Sequence, residues 1–257
     1  MQKTDDVQKR PRRRILAWVG WGVLVFVVLL VGGTIAWSQI GVSGAEAEPL
    51  AAVRANPDVT ITDDAAGIVL SPSDGSSDIG LVFIPGAKVD PWAYAATLQQ
   101  LAAEDDITVV ITKPWLNLAF FDLRPLDAFT SLAPDIDLWM AGGHSLGGVR
   151  ACQLATDADA LVLFASYCAT DLSDTDLPVL SIAGSADGLS TPEKIADARH
   201  LLPEAAELVE IEGAAHSSFG AYGPQAGDGT PTISDEDMTD QLTSLVGAFT
   251  SEVDSAP

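Results

Sequence analysis

The longest apolar stretch of the chain lies near its N-terminus. No charged residue occurs from Ile15 to Ala45, and Ile15–Trp37 supplies 23 mostly apolar residues. A helix rises about 1.5 Å per residue, so about 20 apolar residues cross the hydrocarbon core of a membrane. Trp18, Trp21 and Trp37 stand toward the ends of the stretch, where indole rings favour the membrane interface. The pattern predicts a transmembrane helix over residues 15–37.

Basic residues flank this helix on one side only. The run Lys9–Arg14 precedes it, which predicts a cytoplasmic tail over residues 1–14 and places the rest of the chain outside the cytoplasm. A cleaved signal peptide is the alternative, because Ala45-Glu46-Ala47 resembles a cleavage site. The apolar regions of signal peptides span about 7–15 residues, so the longer stretch here favours an uncleaved membrane anchor. Residues 38–58 show no sustained periodicity and predict a stalk, with the catalytic domain over 59–257.

Beyond the stalk, short apolar and β-branched runs alternate with helical patterns. Repeated strand, helix, strand order predicts an α/β fold with a mostly parallel sheet and helices on both faces, since parallel neighbours need long crossovers. The first two runs are joined by turn-rich residues 63–66 and predict a hairpin. The predicted strands are Val59–Thr62, Gly67–Leu70, Leu81–Ile84, Ile107–Thr112, Leu138–Ala141, Leu161–Ala165, Val179–Ala183 and Leu208–Ile211. The predicted helices are Ala93–Ala103, Leu146–Thr156, Pro192–Leu201 and Ser234–Ser251.

Charge is distributed unevenly along the chain. Its 257 residues are 47% hydrophobic and 19% charged, which excludes a disordered protein and suits one large catalytic domain. The formal net charge is −23, and the residues from 15 onward carry 7 basic and 34 acidic side chains, a balance of −27. A surface of this sign repels phosphate backbones, so nucleic acid is not an expected partner.

The two cysteines and three histidines form no zinc-binding pattern. Cys152 and Cys168 are too few for a disulfide scaffold, and no CxxC motif occurs. Both cysteines lie in apolar contexts, which predicts buried free thiols, with a disulfide as the alternative that an oxidising location allows. Neither a metal nor a cofactor is expected.

The clearest chemical motif is Gly143-His144-Ser145-Leu146-Gly147, which follows a predicted strand and opens a predicted helix. This strand, turn and helix context is the one in which G-x-S-x-G exposes a nucleophilic serine. Glycines are needed because side chains at Gly143 and Gly147 would clash with the neighbouring strand and helix. The motif predicts Ser145 as a nucleophile, with an incidental serine in a glycine-rich turn as the alternative.

A serine hydroxyl is a weak nucleophile and needs a base. His144 adjoins the serine and would point away from it, and His200 lies late in a predicted helix, where a surface role is expected. His216 follows the last predicted strand in a glycine-containing loop. We therefore predict His216 as the base, with an exposed loop histidine as the alternative.

The orienting acid should follow a strand between the serine and the base, because parallel strands bring their carboxyl ends to one edge. Asp187 follows Val179–Ala183, and the order Ser, Asp, His is that of α/β-hydrolases. Asp171, Asp174 and Asp176 follow the preceding strand and remain alternatives.

Backbone N–H groups near the serine would hold an oxyanion. Leu146 opens the helix after Ser145, and Ala87 follows the strand Leu81–Ile84, so these two residues are the predicted donors. Trp115, Asn117 and Phe219 lie in loops expected to border the site and are predicted to contact substrate, although packing under a loop would also explain them.

Together, Pro85-Gly86-Ala87, Gly143–Gly148, Gly184–Leu189 and the region of His216 resemble the α/β-hydrolase superfamily, in particular the small dienelactone-hydrolase-like bacterial enzymes of α/β-hydrolase family 5. The resemblance covers about Gly80 to Phe249 and implies the α/β-hydrolase fold with the Ser145, Asp187 and His216 triad. Dienelactone hydrolases carry a cysteine nucleophile, so Ser145 implies ester hydrolysis instead. Many members insert a helical cap where this chain has only Ser166–Pro178, so no cap domain is expected.

Three functions fit these residues. The leading prediction is a membrane-anchored serine hydrolase that cleaves a small carboxylic ester or thioester through an acyl-enzyme. An acyltransferase would use the same acyl-enzyme with an alcohol as acceptor. A non-catalytic binding domain would need none of these residues together. The sequence leaves the oligomeric state and the acyl chain of the substrate open.

Overall fold

The computed structural model describes residues 10–75 and 77–255 and divides the chain into two units, Met1–Gly41 and Val42–Pro257. In the first unit, the described residues form one helix, α1 (Arg10–Gln39). Its segment Leu16–Gln39 is long and apolar enough to cross a membrane, as an anchor or a signal sequence would be, and its most apolar stretch is not buried. The predicted helix over residues 15–37 lies within α1. Of the predicted basic tail, residues 10–14 belong to α1 and residues 1–9 lie outside the described residues.

The second unit is built on one sheet in the strand order β1-β2-β4-β3-β5-β6-β7-β8. The hairpin β1–β2 and the pair β2–β4 are antiparallel, and all other neighbours are parallel. Each of the eight predicted strands overlaps an observed one. The strands are β1 (Val59–Asp63), β2 (Gly67–Pro72), β3 (Ile79–Ile84), β4 (Ile107–Thr112), β5 (Leu138–His144), β6 (Ala160–Phe164), β7 (Val179–Gly184) and β8 (Glu207–Ile211).

Helices cover both faces of the sheet, as the continuous burial of its central strands requires. The helices of this unit are α2 (Ala47–Ala55), α3 (Ala95–Glu104), α4 (Asp127–Thr130), α5 (Leu146–Leu154), α6 (Pro192–Asp197) and α7 (Asp235–Asp254). One core contains Leu98 of α3 and Val246 of α7, and a second core contains Ala151 of α5. The α/β-hydrolase architecture predicted from the sequence is confirmed. Ser166–Pro178 contains no helix or strand, so nothing there forms a cap.

Residues 38–58, which were predicted to form an irregular stalk, contain an ordered segment and a helix. Ser43–Glu46, which we call the strap, is hydrogen-bonded to the domain: the Ser43 N–H donates to the Lys88 carbonyl at 2.8 Å and the Glu46 N–H to the Ala221 carbonyl at 2.9 Å. Helix α2 follows, with Val53 fully buried in the first core. Because α2 buries only Val53, it leaves no periodic pattern in the sequence.

The two cysteines correct another prediction. Cys152 of α5 and Cys168, in the segment after β6, form a disulfide with their Cα atoms 5.6 Å apart. Both residues are buried, as expected. The expectation of free thiols was wrong, because residues 16 apart in sequence lie on neighbouring elements that the fold brings into contact.

Candidate active site

The carboxyl ends of the parallel strands bring four segments of interest to one edge of the sheet. The Pro85–Lys88 loop follows β3, Ser145 follows β5, Asp187 follows β7 and His216 follows β8. In open α/β sheets this edge is where ligands bind. The topology therefore gathers the residues that the sequence analysis selected.

Ser145 lies in a tight turn between β5 and α5. Its φ of 52° and ψ of −122° are rare for a residue with a side chain, and such strain is typical of functional turns. A Cβ on Gly147 would lie 1.9 Å from the Ile84 carbonyl oxygen, and one on Gly143 would lie 2.5 Å from the Gly147 carbonyl carbon. Glycine at both positions lets β3, β5 and α5 approach closely enough to form the turn.

The predicted oxyanion donors lie beside this turn. The contact between Ile84 and Gly147 brings the loop after β3 alongside the start of α5. Within the described part of the chain, the N–H groups of Ala87 and Leu146 donate no hydrogen bond. Leu146 also begins a helix of 9 residues, whose N-terminus favours negative charge.

The predicted base and acid form a buried pair. His216 Nδ1 lies 2.8 Å from Asp187 Oδ2, and the two side chains are 2% and 0% exposed. The other carboxylate oxygen, Oδ1, accepts the N–H groups of Leu189 at 2.7 Å and Ser190 at 2.8 Å. A carboxylate only accepts, so Nδ1 of a neutral His216 carries the hydrogen and Nε2 presents a lone pair. This is the tautomer that a general base needs.

The alternative acids are placed elsewhere. Asp171 Oδ1 accepts the N–H and hydroxyl of Ser173 at 3.0 and 2.6 Å, and these bonds lower the pKa of its exposed carboxyl. Asp174 is exposed to solvent. Among the described acidic residues, Asp187 is the one that contacts His216 through the ring.

The turn that carries the serine lies next to the base. The ring of His144, which immediately precedes Ser145, lies 4.5 Å from the ring of His216. No hydrogen bond joins Ser145 to His216 within residues 10–75 and 77–255. Bonds of this kind are often long before substrate binds and shorten in the reacting complex.

Asp228 is a functional candidate that the sequence analysis missed. Its Oδ1 accepts the N–H groups of His216 at 3.0 Å, Gly188 at 3.2 Å and Gly229 at 2.7 Å, and its Oδ2 accepts that of Ser217 at 2.8 Å. Burial raises the pKa of this carboxyl, but the four backbone donors lower it more, so the net shift is downward. Asp228 thus links the turn after the acid to the loop that carries the base.

His144 belongs to a buried aromatic cluster next to the base. It is 1% exposed and stacks on Phe219 at a ring distance of 5.8 Å. Burial, and secondarily the neighbouring His216, hold the pKa of His144 well below its ordinary value. His144 is therefore a neutral residue behind the site rather than a second base.

The predicted substrate contacts divide into two groups. Trp115 is 57% exposed, and Asn117 accepts the Lys88 N–H through its backbone carbonyl at 2.8 Å, so both lie in the loop against the Pro85–Lys88 segment. Phe219 is fully buried against His144 and Phe164. The structure thus assigns Phe219 to the core, which differs from its predicted role as a substrate contact.

Comparison with known proteins gives one family. A family model described as the alpha/beta hydrolase family matches residues 80–240, a range that runs from β3 into α7. The match covers the serine turn, the acid and the base, and it does not distinguish the dienelactone-hydrolase-like group. No curated protein matches the chain. Among the residues that the structure describes, no group of three or more His, Cys, Asp or Glu side chains is placed to hold a metal ion.

Proposed function

Because the chain belongs to the α/β-hydrolase family, we propose that it is a serine hydrolase that cleaves a carboxylic ester or thioester through an acyl-enzyme on Ser145. The observation that carries the proposal is the buried His216–Asp187 pair at 2.8 Å, set at the sheet edge beside a serine in a strained turn. In this arrangement Asp187 holds the hydrogen of a neutral His216 on Nδ1, which leaves Nε2 to accept a proton.

The proposed reaction has two halves. His216 Nε2 takes the hydroxyl proton of Ser145 as Oγ bonds to the ester carbonyl carbon, and the carbonyl electrons move onto oxygen. The N–H groups of Ala87 and Leu146 stabilise that oxyanion. The C–O or C–S bond then breaks, His216 returns the proton to the leaving group, and water attacks the acyl-enzyme in the same way to release the acid.

Asp187 has an electrostatic and an orienting role in this scheme. Its Oδ2 fixes the ring of His216 and stabilises the imidazolium that forms during each half-reaction. The N–H groups of Leu189 and Ser190 hold Oδ1, so the carboxylate cannot rotate away from the ring. The chemistry needs no cofactor.

The substrate in this proposal is a small ester that enters an open site. The loop that contains Trp115 and Asn117 is bonded to the segment after β3 through the Lys88 N–H, which donates to the Asn117 carbonyl, and we expect this loop to border the capless site. The Arg124 guanidinium lies over the Trp115 ring, 5.9 Å from its centre, within cation–π range. The exposed indole offers an apolar surface to an acyl group.

Labelling and turnover test the proposal directly. The purified chain in detergent should react with a fluorophosphonate probe and hydrolyse p-nitrophenyl esters, and a series of graded acyl length should define the pocket. Ser145→Ala should abolish both reactions, whereas Ser173→Ala, which alters an exposed serine, should change neither. Transfer of the acyl group to added alcohols in preference to water would identify an acyltransferase. Absence of labelling in the folded wild-type chain would identify a binding domain.

We further propose that α1 is an uncleaved anchor, with the N-terminus in the cytoplasm and the catalytic domain outside. The basic run Lys9–Arg14 favours this orientation. The disulfide Cys152–Cys168 favours an oxidising compartment. Cleavage at Ala45-Glu46-Ala47 would remove the strap and its hydrogen bonds to the domain, which favours retention.

Topology and processing can be measured on the same cells. External protease should digest the domain in spheroplasts, and the intact mass of the purified protein should include α1. Digestion only after the membrane is broken would reverse the orientation. A mature chain that begins near Glu48 would show that α1 is a signal sequence.

A further inference from the structure

A chain of buried hydrogen bonds connects the loop of the predicted oxyanion donor to the loop of the predicted base. The Gly86 N–H donates to Tyr94 Oη at 3.0 Å, and Tyr94 Oη lies 2.9 Å from His144 Nδ1. His144 Nε2 lies 3.1 Å from the His216 carbonyl oxygen. Tyr94 is fully buried and His144 is 1% exposed, so water does not compete for these bonds.

The direction of each bond follows from the atoms involved. The His216 carbonyl can only accept, so His144 Nε2 carries a hydrogen. His144 is neutral because burial lowers its pKa, which leaves Nδ1 as an acceptor for the Tyr94 hydroxyl. Burial raises the pKa of Tyr94 well above its ordinary value, so the phenol keeps its proton. Each donor in the chain therefore has one acceptor, from the Gly86 N–H to the His216 carbonyl.

Both ends of the chain lie next to the proposed machinery. Gly86 is covalently joined to Ala87, and His216 is the base itself. The fit at Gly86 is close, because an added Cβ would lie 2.9 Å from His144 Nδ1 and 3.0 Å from Tyr94 Oη. A displacement of Tyr94 or His144 would therefore move the oxyanion loop and the base loop together.

We propose that Tyr94 and His144 are positioning residues that fix the oxyanion loop and the base loop relative to each other, a role that rests on the proposed serine hydrolase activity. Among the described residues, neither side chain has a hydrogen bond to the Ser145 hydroxyl or to a ring nitrogen of His216. Oxyanion donors and a base must be held to within a fraction of an ångström to stabilise a transition state, and packed hydrogen bonds behind them supply that rigidity. A neutral His144 also suits a site in which His216, 4.5 Å away, gains a proton during the reaction, because a second cation there would repel it.

Three variants of the full chain in detergent test this role. Each kcat is calculated per active site, and the number of active sites is the amount of serine that a fluorophosphonate has labelled when the labelling is complete. Tyr94→Phe removes only the hydroxyl and should lower kcat and the fluorophosphonate inactivation rate by the same factor, about tenfold, which is about 1.4 kcal/mol, with KM within twofold. His144→Gln keeps an N–H near the His216 carbonyl but loses the acceptor for Tyr94, and should have a similar effect. The kcat of the double variant should lie within about threefold of the kcat of the slower single variant, because both substitutions break the same chain of hydrogen bonds.

Thr250→Val is the matched control, because it also removes one buried hydroxyl. That hydroxyl lies in α7 and bonds the Val246 carbonyl at 2.8 Å and Met140 Sδ at 3.6 Å, so neither bond reaches the oxyanion loop or the base loop. This variant should lose no more than threefold in kcat. A wild-type chain that neither labels nor turns over would refute the proposed hydrolase. If the wild-type enzyme is active and the kcat of both Tyr94→Phe and His144→Gln stays within threefold of its kcat, only the positioning role is refuted.

The wild-type chain offers a second test that does not depend on folding of the variants. The chain has only three histidines, so solid-state NMR of the ¹⁵N-histidine-labelled protein in lipid bilayers can resolve each ring. His144 should carry its hydrogen on Nε2 and leave Nδ1 bare at pH 7. A His144 that is protonated on Nδ1 would overturn the direction of the chain and with it the proposal.

Discussion

Replacing Asp228 with asparagine should weaken both the stability and the activity of the protein. In Asp228→Asn, the three N–H groups that face Oδ1 keep an acceptor, but a neutral one, and each bond weakens by about 1 kcal/mol or less. The Ser217 N–H then faces an amide –NH₂ group and loses its partner, which costs about 1 kcal/mol more. Asp228 is half-buried, so the lower part of each range applies. We expect the free energy of unfolding to fall by about 2–4 kcal/mol.

The activity should fall because Asp228 holds the backbone of the base. Its carboxylate joins the His216 and Ser217 N–H groups to Gly188, which follows the orienting acid. A misplacement of about 1 Å in a catalytic group costs on the order of 100-fold, so a loosened loop should lower kcat/KM about 10–100-fold. Urea unfolding of the detergent-solubilised chain and p-nitrophenyl ester kinetics measure the two effects.

Asp174→Asn serves as the matched control, because it removes one negative charge from an exposed side chain. This variant should behave like the wild-type protein in both assays. Differences in unfolding free energy are meaningful above about 0.5 kcal/mol. If the unfolding free energy of Asp228→Asn differs from that of the wild-type protein by less than about 0.5 kcal/mol, the argument from the four N–H donors is wrong.

The effect of Asp228 should depend on pH in a defined direction. The folded-state pKa of its carboxyl lies below the unfolded value, so its stabilisation is fully present above the unfolded pKa, about 3.9, and is lost as pH falls through the lower folded pKa. The difference in unfolding free energy between wild type and Asp228→Asn should therefore be constant from pH 5 to 8 and should shrink below about pH 4. If the difference in unfolding free energy grows as the pH falls, the pKa of Asp228 is not lowered in the folded state.

Three further changes should give separable results. Asp187→Asn should lower kcat by about 10⁴-fold, as in other triads where the base takes the wrong tautomer, whereas Asp171→Asn should stay within twofold of the wild-type rate; equal losses would show that the acid is misassigned. Replacing both Cys152 and Cys168 with serine should lower the unfolding free energy by about 3 kcal/mol while keeping turnover, and dithiothreitol should then have no further effect on urea unfolding; a reductant effect in the double variant would contradict this. Gly147→Ala should yield no folded, active enzyme, since its Cβ would lie 1.9 Å from a backbone oxygen, and near-normal activity would mean that the turn can open.

The strands and the serine turn could be predicted because local sequence determines them. The run Ile107–Thr112 is β-branched throughout and mostly apolar, and all its residues are buried in β4. The glycines around Ser145 are required by contacts within a few residues and with one neighbouring strand. The parallel topology then brings the acid and the histidine to one edge, because each of them follows a strand.

The supporting residues could not be predicted because they depend on tertiary contacts. Asp228 is one of 36 acidic residues and lies in a loop without periodicity, so nothing in the sequence shows that four backbone N–H groups surround it. Tyr94 is an aromatic residue at the start of a helix, a position that local patterns assign to packing. Phe219 lies in a glycine-containing loop that suggested exposure, yet it is fully buried. The disulfide likewise depends on how α5 and β6 pack together.

The strap has a practical consequence for anyone who wishes to express the catalytic domain without its membrane helix. A truncation at residue 59, where the first strand begins, would delete the Ser43 bonds to Lys88 and Asp90, the Glu46 bond to Ala221, and helix α2 with its buried Val53. It would leave an uncovered apolar surface next to the loops of the active site, a common cause of aggregation during purification. A gene that starts at Val42 keeps all of these contacts and omits only the unit that ends at Gly41.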